Sequence, residues 1–210
     1  MSAPSDAWPE AGQRIERITW LADAIFAFSM TLLAVDIRVP EIPASDAVTE
    51  LPVALILLVP RFISFLLTFW IVGSYWITFH RLFSYIVRYD RGLIRASLFF
   101  LMFIVLLPFP ADLIGRYSTQ LFSWVVAAIF FAATGFALEF IWVHASRGHR
   151  LVEKELNSKL IRRMSLRYLV SPLVFVFSVP VFILAFTYYQ VIIGFLWLLI
   201  LPFQLHFSHE

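Results

Sequence analysis

The feature that most constrains this chain is the length and continuity of its apolar runs. Six of them reach or approach the roughly 20 residues that a helix needs to cross a bilayer. They cover residues 18–37, a run ending near 80 that begins somewhere between 51 and 62, then 93–114, 121–144, 166–187 and a shorter run at 190–207. The runs are continuously apolar rather than alternating, which favours helices over a barrel with a polar lumen. The predicted fold class is an all-α membrane protein with six transmembrane helices. Two proline motifs stand in the runs. "VPRF" (59–62) predicts a bend or outer half-turn at Pro60, and "LPFP" (107–110) falls near the end of the third run.

Composition sets what else the chain can hold. Hydrophobic residues make up 61% and charged residues 14%, against about 25% charged in a soluble domain. With a mean hydropathy of +0.85, almost all of the 210 residues are committed to spans. We read one transmembrane domain, 1–210, with a polar N-terminal segment at 1–16 and a linker at 145–165. The N-terminus has no basic region followed by a cleavage site, so no signal peptide is expected. There is no cysteine, which removes disulfide and thiol chemistry.

Charge gives the orientation. Thirteen of the sixteen Lys and Arg residues precede the first run or lie between runs two and three or four and five; only Arg38, Arg61 and Arg116 lie on the other side. The positive-inside rule then places both termini in the cytoplasm, as six spans require. The same distribution argues against a nucleic-acid partner, although the net charge is +2 and the pI about 9.1. The expected partners are lipid, monovalent cations and copies of the chain itself.

Two loops carry further pattern. After the first run, Asp36, Glu41, Asp46 and Glu50 face only Arg38. This is either an ordinary solvated loop or an acidic mouth that concentrates cations. In "LVEKELNSKLIRRM", Val152, Leu156, Leu160 and Met164 recur every four residues, which predicts an amphipathic helix at the inner surface or one extending the fifth span.

Ionisable residues inside spans are the candidates for function. Asp23 lies five residues into the first run, roughly 8 Å deep at 1.5 Å per residue. It is either an interfacial aspartate near a helix start, where the dipole favours it, or a functional group. At roughly 100° per residue, Arg17, Ala24, Phe28, Thr31 and Val35 share a narrow stripe with Leu32 at its edge, and Asp23 points about 100° away. Ser29 faces away from the stripe and is assigned to packing. Trp76 and His80, four apart, share a face, and a hydrogen-bonding clamp between His80 and Asp23 fits their shared depth. Glu139, near the inner end of the fourth run, is expected to pair with a basic group. Ala128, Ala132, Ala133 and Gly135 offer a small-residue surface for helix packing. No HExxH, Cys/His cluster or GxSxG appears, so neither a metal nor enzyme activity is expected.

With these residues in place, "RITWLADAIFAFSMTLLAVDIRVP" (17–40), "YWITFHRLFSYIVRYDRGL" and "LFFLMFIVLLPFP" resemble, in order, the signature blocks of the transmembrane protein 175 family of potassium channels. The resemblance covers roughly residues 14–115, and one six-span repeat is similar to the prokaryotic branch, which implies a plasma-membrane location. It implies a homotetramer in which the first span of each chain lines a central pore, with no TVGYG filter. A hydrophobic constriction at Phe28, followed by Thr31, Leu32 and Val35, would control passage of potassium, the permeant ion; no cofactor is implied. Arg17, Asp23, Trp76 and His80 correspond to the residues that brace the first span. This chain departs from the pattern at Leu21-Ala22 in place of Phe-Ser, Phe79 in place of a first histidine, Ser97 in place of an asparagine, and Phe28 in place of a smaller residue. Ser97 is counted with the bracing group. The rival readings are a proton- or cation-coupled transporter, which needs broken helices such as Pro172 and Pro180 could supply, and a structural membrane protein.

Overall fold

The computed structural model describes residues 11–35, 37–153 and 155–185, and they fold as helices. In chain order these are α1 (Ala11–Val35), α2 (Ala47–Leu57), α3 (Val59–Phe83), α4 (Arg91–Leu106), α5 (Pro108–Arg116), α6 (Leu121–Ser146) and α7 (Ser158–Ala185). Five stretches are long and apolar enough to cross a membrane: Ile15–Val35, Ala47–Phe83, Arg91–Arg116, Leu121–His149 and Ser158–Leu184. The sixth expected span, 190–207, lies outside the described residues.

Prolines set the interruptions by withholding one N–H each. α2 and α3 separate at Leu58, whose dihedrals stay helical at φ −81° and ψ −14°. Pro60 cannot donate to the Ile56 carbonyl, so the ladder fails two residues before the proline rather than at it. The expected single run at 93–114 is likewise two helices. α4 ends at Leu106 and α5 starts at Pro108, with Leu107 still helical at φ −62° and ψ −28°. Here Pro108 leaves the Ile104 carbonyl without its helical donor. Inside α7, by contrast, Pro172 and Pro180 do not end the helix.

The amphipathic helix expected over 152–164 forms only in its second half. Leu160 and Met164 lie on α7, but Val152 makes an isolated antiparallel bridge with Ile86. Val87 N and Arg88 N both donate to Leu151 O, at 2.9 and 3.0 Å. The cause is the reversal after α6: a 3-10 turn at Arg147–His149 with Gly148 at φ 64°, a value glycine adopts without strain. The turn lays the outgoing strand against the α3–α4 loop, whose backbone groups satisfy it.

The core joins the helices through aromatic and small residues. Phe26 of α1, Phe79 of α3 and Phe100 of α4 are buried together, and the Phe79 and Phe100 rings stack with centroids 5.5 Å apart and planes 7° apart. Phe79, which the sequence comparison marked as a lost polar group, is therefore a packing residue. Tyr75 OH donates to Phe131 O at 2.6 Å and ties α3 to α6. α6 and α7 come close at Gly135, where an added Cβ would stand 2.9 Å from Pro172 Cδ. Small residues that let backbones approach are the usual basis of helix association in lipid.

Candidate pore-lining helix and its braces

α1 is apolar nearly all round, so its sidedness comes from packing rather than polarity. Ala22, Phe26, Ser29 and Leu33 are buried against the bundle, at alternating spacings of four and three that mark one helical face. The opposite face holds Ala24, Phe28, Thr31 and Val35, all exposed; Phe28 is 58% accessible and Val35 57%. Leu32 sits half-buried at its edge. Nothing else in the described residues covers this stripe. The Thr31 hydroxyl donates to Phe28 O at 2.7 Å. That bond uses the proton and leaves the exposed oxygen able to accept.

Asp23 stands beside the stripe and is anchored from α3. Trp76 Nε1 donates to Asp23 Oδ1 at 2.7 Å, and His80 Nε2 lies 2.7 Å from the same oxygen. An ionised carboxylate only accepts, so the second contact needs the proton on Nε2. One helical turn separates Trp76 from His80, and their rings meet edge to face with centroids 4.7 Å apart. The structure thus brings three of the expected bracing residues together.

The other two stay apart from that group. Arg17 is exposed, and no hydrogen bond or ion pair among the described residues links it to Asp23. Ser97 is buried on α4 and donates to Leu93 O at 2.8 Å, closing a local i−4 bond instead of reaching α1. A serine is too short to extend past its own helix here. Of the outer acidic pair, Glu41 is exposed in the α1–α2 loop and Asp36 lies outside the described residues.

Ser29 makes the contact that sequence reasoning left as packing. Its hydroxyl donates to Ile104 O at 2.8 Å, from a fully buried position. Glu139 also differs from expectation. It takes a hydrogen bond from Ser165 on α7 rather than from a basic group, because α7 presents serine and tyrosine at that level.

A further cluster went unnoticed in the sequence. Asp90 caps α4 by accepting from Leu93 N at 2.6 Å, and His144 of α6 reaches its carboxylate at 3.0 and 3.2 Å. Arg150 from the α6–α7 loop donates to the other carboxylate oxygen. Burial alone pushes the Asp90 carboxyl up, but the Leu93 N–H, His144 and Arg150 together hold it below its usual value. The available signal was Asp90 standing just before the apolar run that becomes α4, an N-cap pattern; His144 and Arg150 lie more than fifty residues away and carry none.

This geometry meets an independent set of likenesses. The family model described as endosomal/lysosomal potassium channel TMEM175 matches residues 17–108. A potassium channel of Streptomyces collinus is 29% identical over 72% of this chain and 74% of its own length. One from Chamaesiphon minutus is 28% identical over 74% and 78%, and one from a Chryseobacterium species is 22% identical over 87% and 92%. The crystal structure of a lysosomal potassium-selective channel TMEM175 homolog from Chamaesiphon minutus superposes with a TM-score of 0.78 at 23% identity, covering 93% of this chain and 99% of that one. Over residues 17–108 this chain resembles the TMEM175 family, its fold is shared with that of a TMEM175 homolog, and its long apolar helices fit an integral membrane protein.

Proposed function

We propose that the chain forms a homotetrameric cation channel, potassium-selective or weakly so, in a prokaryotic plasma membrane. Each copy contributes six spans, with both termini in the cytoplasm and α1 facing a central pathway. The observation that carries this reading is the exposed stripe of Ala24, Phe28, Thr31 and Val35 on a helix whose other face is packed and whose flank is braced. One bundle leaves that stripe bare, and symmetric copies enclose it. The names of the bacterial relatives, potassium channels all, support the same reading.

Selectivity on this reading needs no carbonyl filter. A ring of Phe28 makes a dry constriction through which a cation must shed water. Thr31 oxygens one turn on offset part of that cost, and potassium gives up its hydration more readily than sodium. A coupled transporter would bind ions at broken helices; Pro172 and Pro180, the candidates for such a break in the fifth span, leave α7 continuous. Efflux from potassium-loaded proteoliposomes, with and without a sodium gradient, tests the proposal. Absence of potassium flux from purified protein sinks it; an unchanged potassium-to-sodium ratio in Thr31→Ala removes Thr31 from selectivity.

A further inference from the structure

Glu139 stands in the seam between α6 and α7, one turn from Gly135 and on the same face, and it is 94% buried by its 6% residual exposure. The Ser165 hydroxyl donates to Oε1. Oε2 is buried with no hydrogen-bond partner, and so is the hydroxyl of Tyr168 one turn further along α7. Tyr168 lies in the electrostatic field of Glu139, and also of Arg81 and Tyr85 from the end of α3 and of Arg167 on its own helix; Arg163 acts on Arg167 in turn. Trp142 closes the seam toward the loops, its ring edge-on to Tyr168 at 5.8 Å.

A bare carboxylate in this position is costly. A buried polar group without a partner loses its hydration and gains nothing in return, and a buried charge loses far more. Ser165 supplies one donor, to one oxygen. A carboxylate has about four lone-pair sites to satisfy. Neutralising Oε2 removes the unpaired charge.

We propose that Glu139 is a proton-binding site, with Oε2 holding a proton at neutral pH, and that losing this proton loosens the α6–α7 seam. The balance is simple: one proton leaves Oε2 for water at the end of the bundle that carries the α3–α4 and α6–α7 loops, and one negative charge remains. The seam would then open to hydrate that charge, one turn from the close contact of Gly135 with Pro172. This places a proton-responsive contact away from α1, independent of how ions permeate.

Infrared spectroscopy of the reconstituted full chain tests the protonation directly. Among the described residues Glu16, Glu41, Glu50, Glu153 and Glu155 are exposed, so Glu139 is the buried glutamate a protonated band would report. With ¹³C-labelled glutamate, the wild type at neutral pH should show a protonated-carboxyl stretch that moves with the label, and Glu139→Gln should lack it. Absence of that band in the wild type overturns the proposal, even if the variant fails to assemble. The second readout is stability against pH. If folding retains the proton that unfolding releases, the folding equilibrium falls by up to about tenfold per pH unit as pH rises above the ordinary glutamate range. This slope should flatten in Glu139→Gln; a slope unchanged by the substitution also overturns the proposal.

Discussion

The Ser29 hydroxyl donates to the carbonyl of Ile104, the group that Pro108 leaves without its helical donor. α1 is thereby tied to the break between α4 and α5. Ser29→Ala removes the donor and leaves that buried carbonyl underserved, since Leu107 N reaches it only at 3.3 Å. A loss of about 1–3 kcal/mol follows. Thermal or denaturant unfolding in detergent checks the loss, and wild-type stability in Ser29→Ala would contradict it.

Phe28 is the bulkiest residue on the exposed stripe of α1. On the channel reading, Phe28→Ala widens the constriction and raises basal potassium flux. Lowering the barrier by about 1.4 kcal/mol corresponds to roughly tenfold. Liposome flux at matched protein density measures it. An unchanged or smaller flux would place the narrowest ring elsewhere.

Asp23 holds both Trp76 and His80 through one oxygen. Asp23→Asn weakens the acceptor and costs about 1 kcal/mol, because the carboxylate is only half-buried and partly screened. The expected effect is on assembly yield rather than selectivity. Size-exclusion profiles and permeability ratios separate the two; normal assembly with altered selectivity would show that Asp23 acts on the ion.

Gly135 is a close contact between α6 and α7. A Cβ 2.9 Å from Pro172 Cδ forces the proline or its helix to move, since a proline ring cannot swing aside. Gly135→Ala should destabilise by about 1–3 kcal/mol. Gly73→Ala serves as the control: its new Cβ meets Met30 Cε at an ordinary 3.7 Å, and the gain in helix propensity makes it neutral or mildly stabilising. Equal melting temperatures for the two variants would be the contrary result.

Asp90 is held below its usual carboxylate range, so the folded state binds its proton less well than the unfolded state does. The sign follows from linkage: its contribution is complete at neutral pH, declines as pH falls through the ordinary aspartate range, and is gone below the depressed folded value. Asp90→Asn keeps an acceptor for the Leu93 N–H but removes the charge facing His144 and Arg150, so it should lower stability near pH 7 by up to about 1 kcal/mol, and the gap to wild type should close in acid. Melting curves across pH check this; a gap that stays constant would leave Asp90 without a charged role.

The sequence determined what depends on local pattern and on the lipid solvent. Long apolar runs with few charges permit little except helices in a membrane, and Pro60 announced an interruption because a missing N–H acts within one turn, whereas the run holding Pro108 reads as one span and is two helices. The stripe of Phe28, Thr31 and Val35 was also legible, since helical geometry alone fixes which residues share a face. Which face is packed was not, because α1 is apolar all round and periodicity has nothing to contrast. Tertiary structure decided that, through Phe26 stacked among Phe79 and Phe100 and Ser29 bound at Ile104. It also separated Arg17 and Ser97 from Asp23, and set Val152 against Ile86 where a four-residue spacing had suggested helix. The cluster of Asp90, His144 and Arg150 needed the fold entirely: its members are distant in sequence, and only the return of the α6–α7 loop to the start of α4 makes them neighbours.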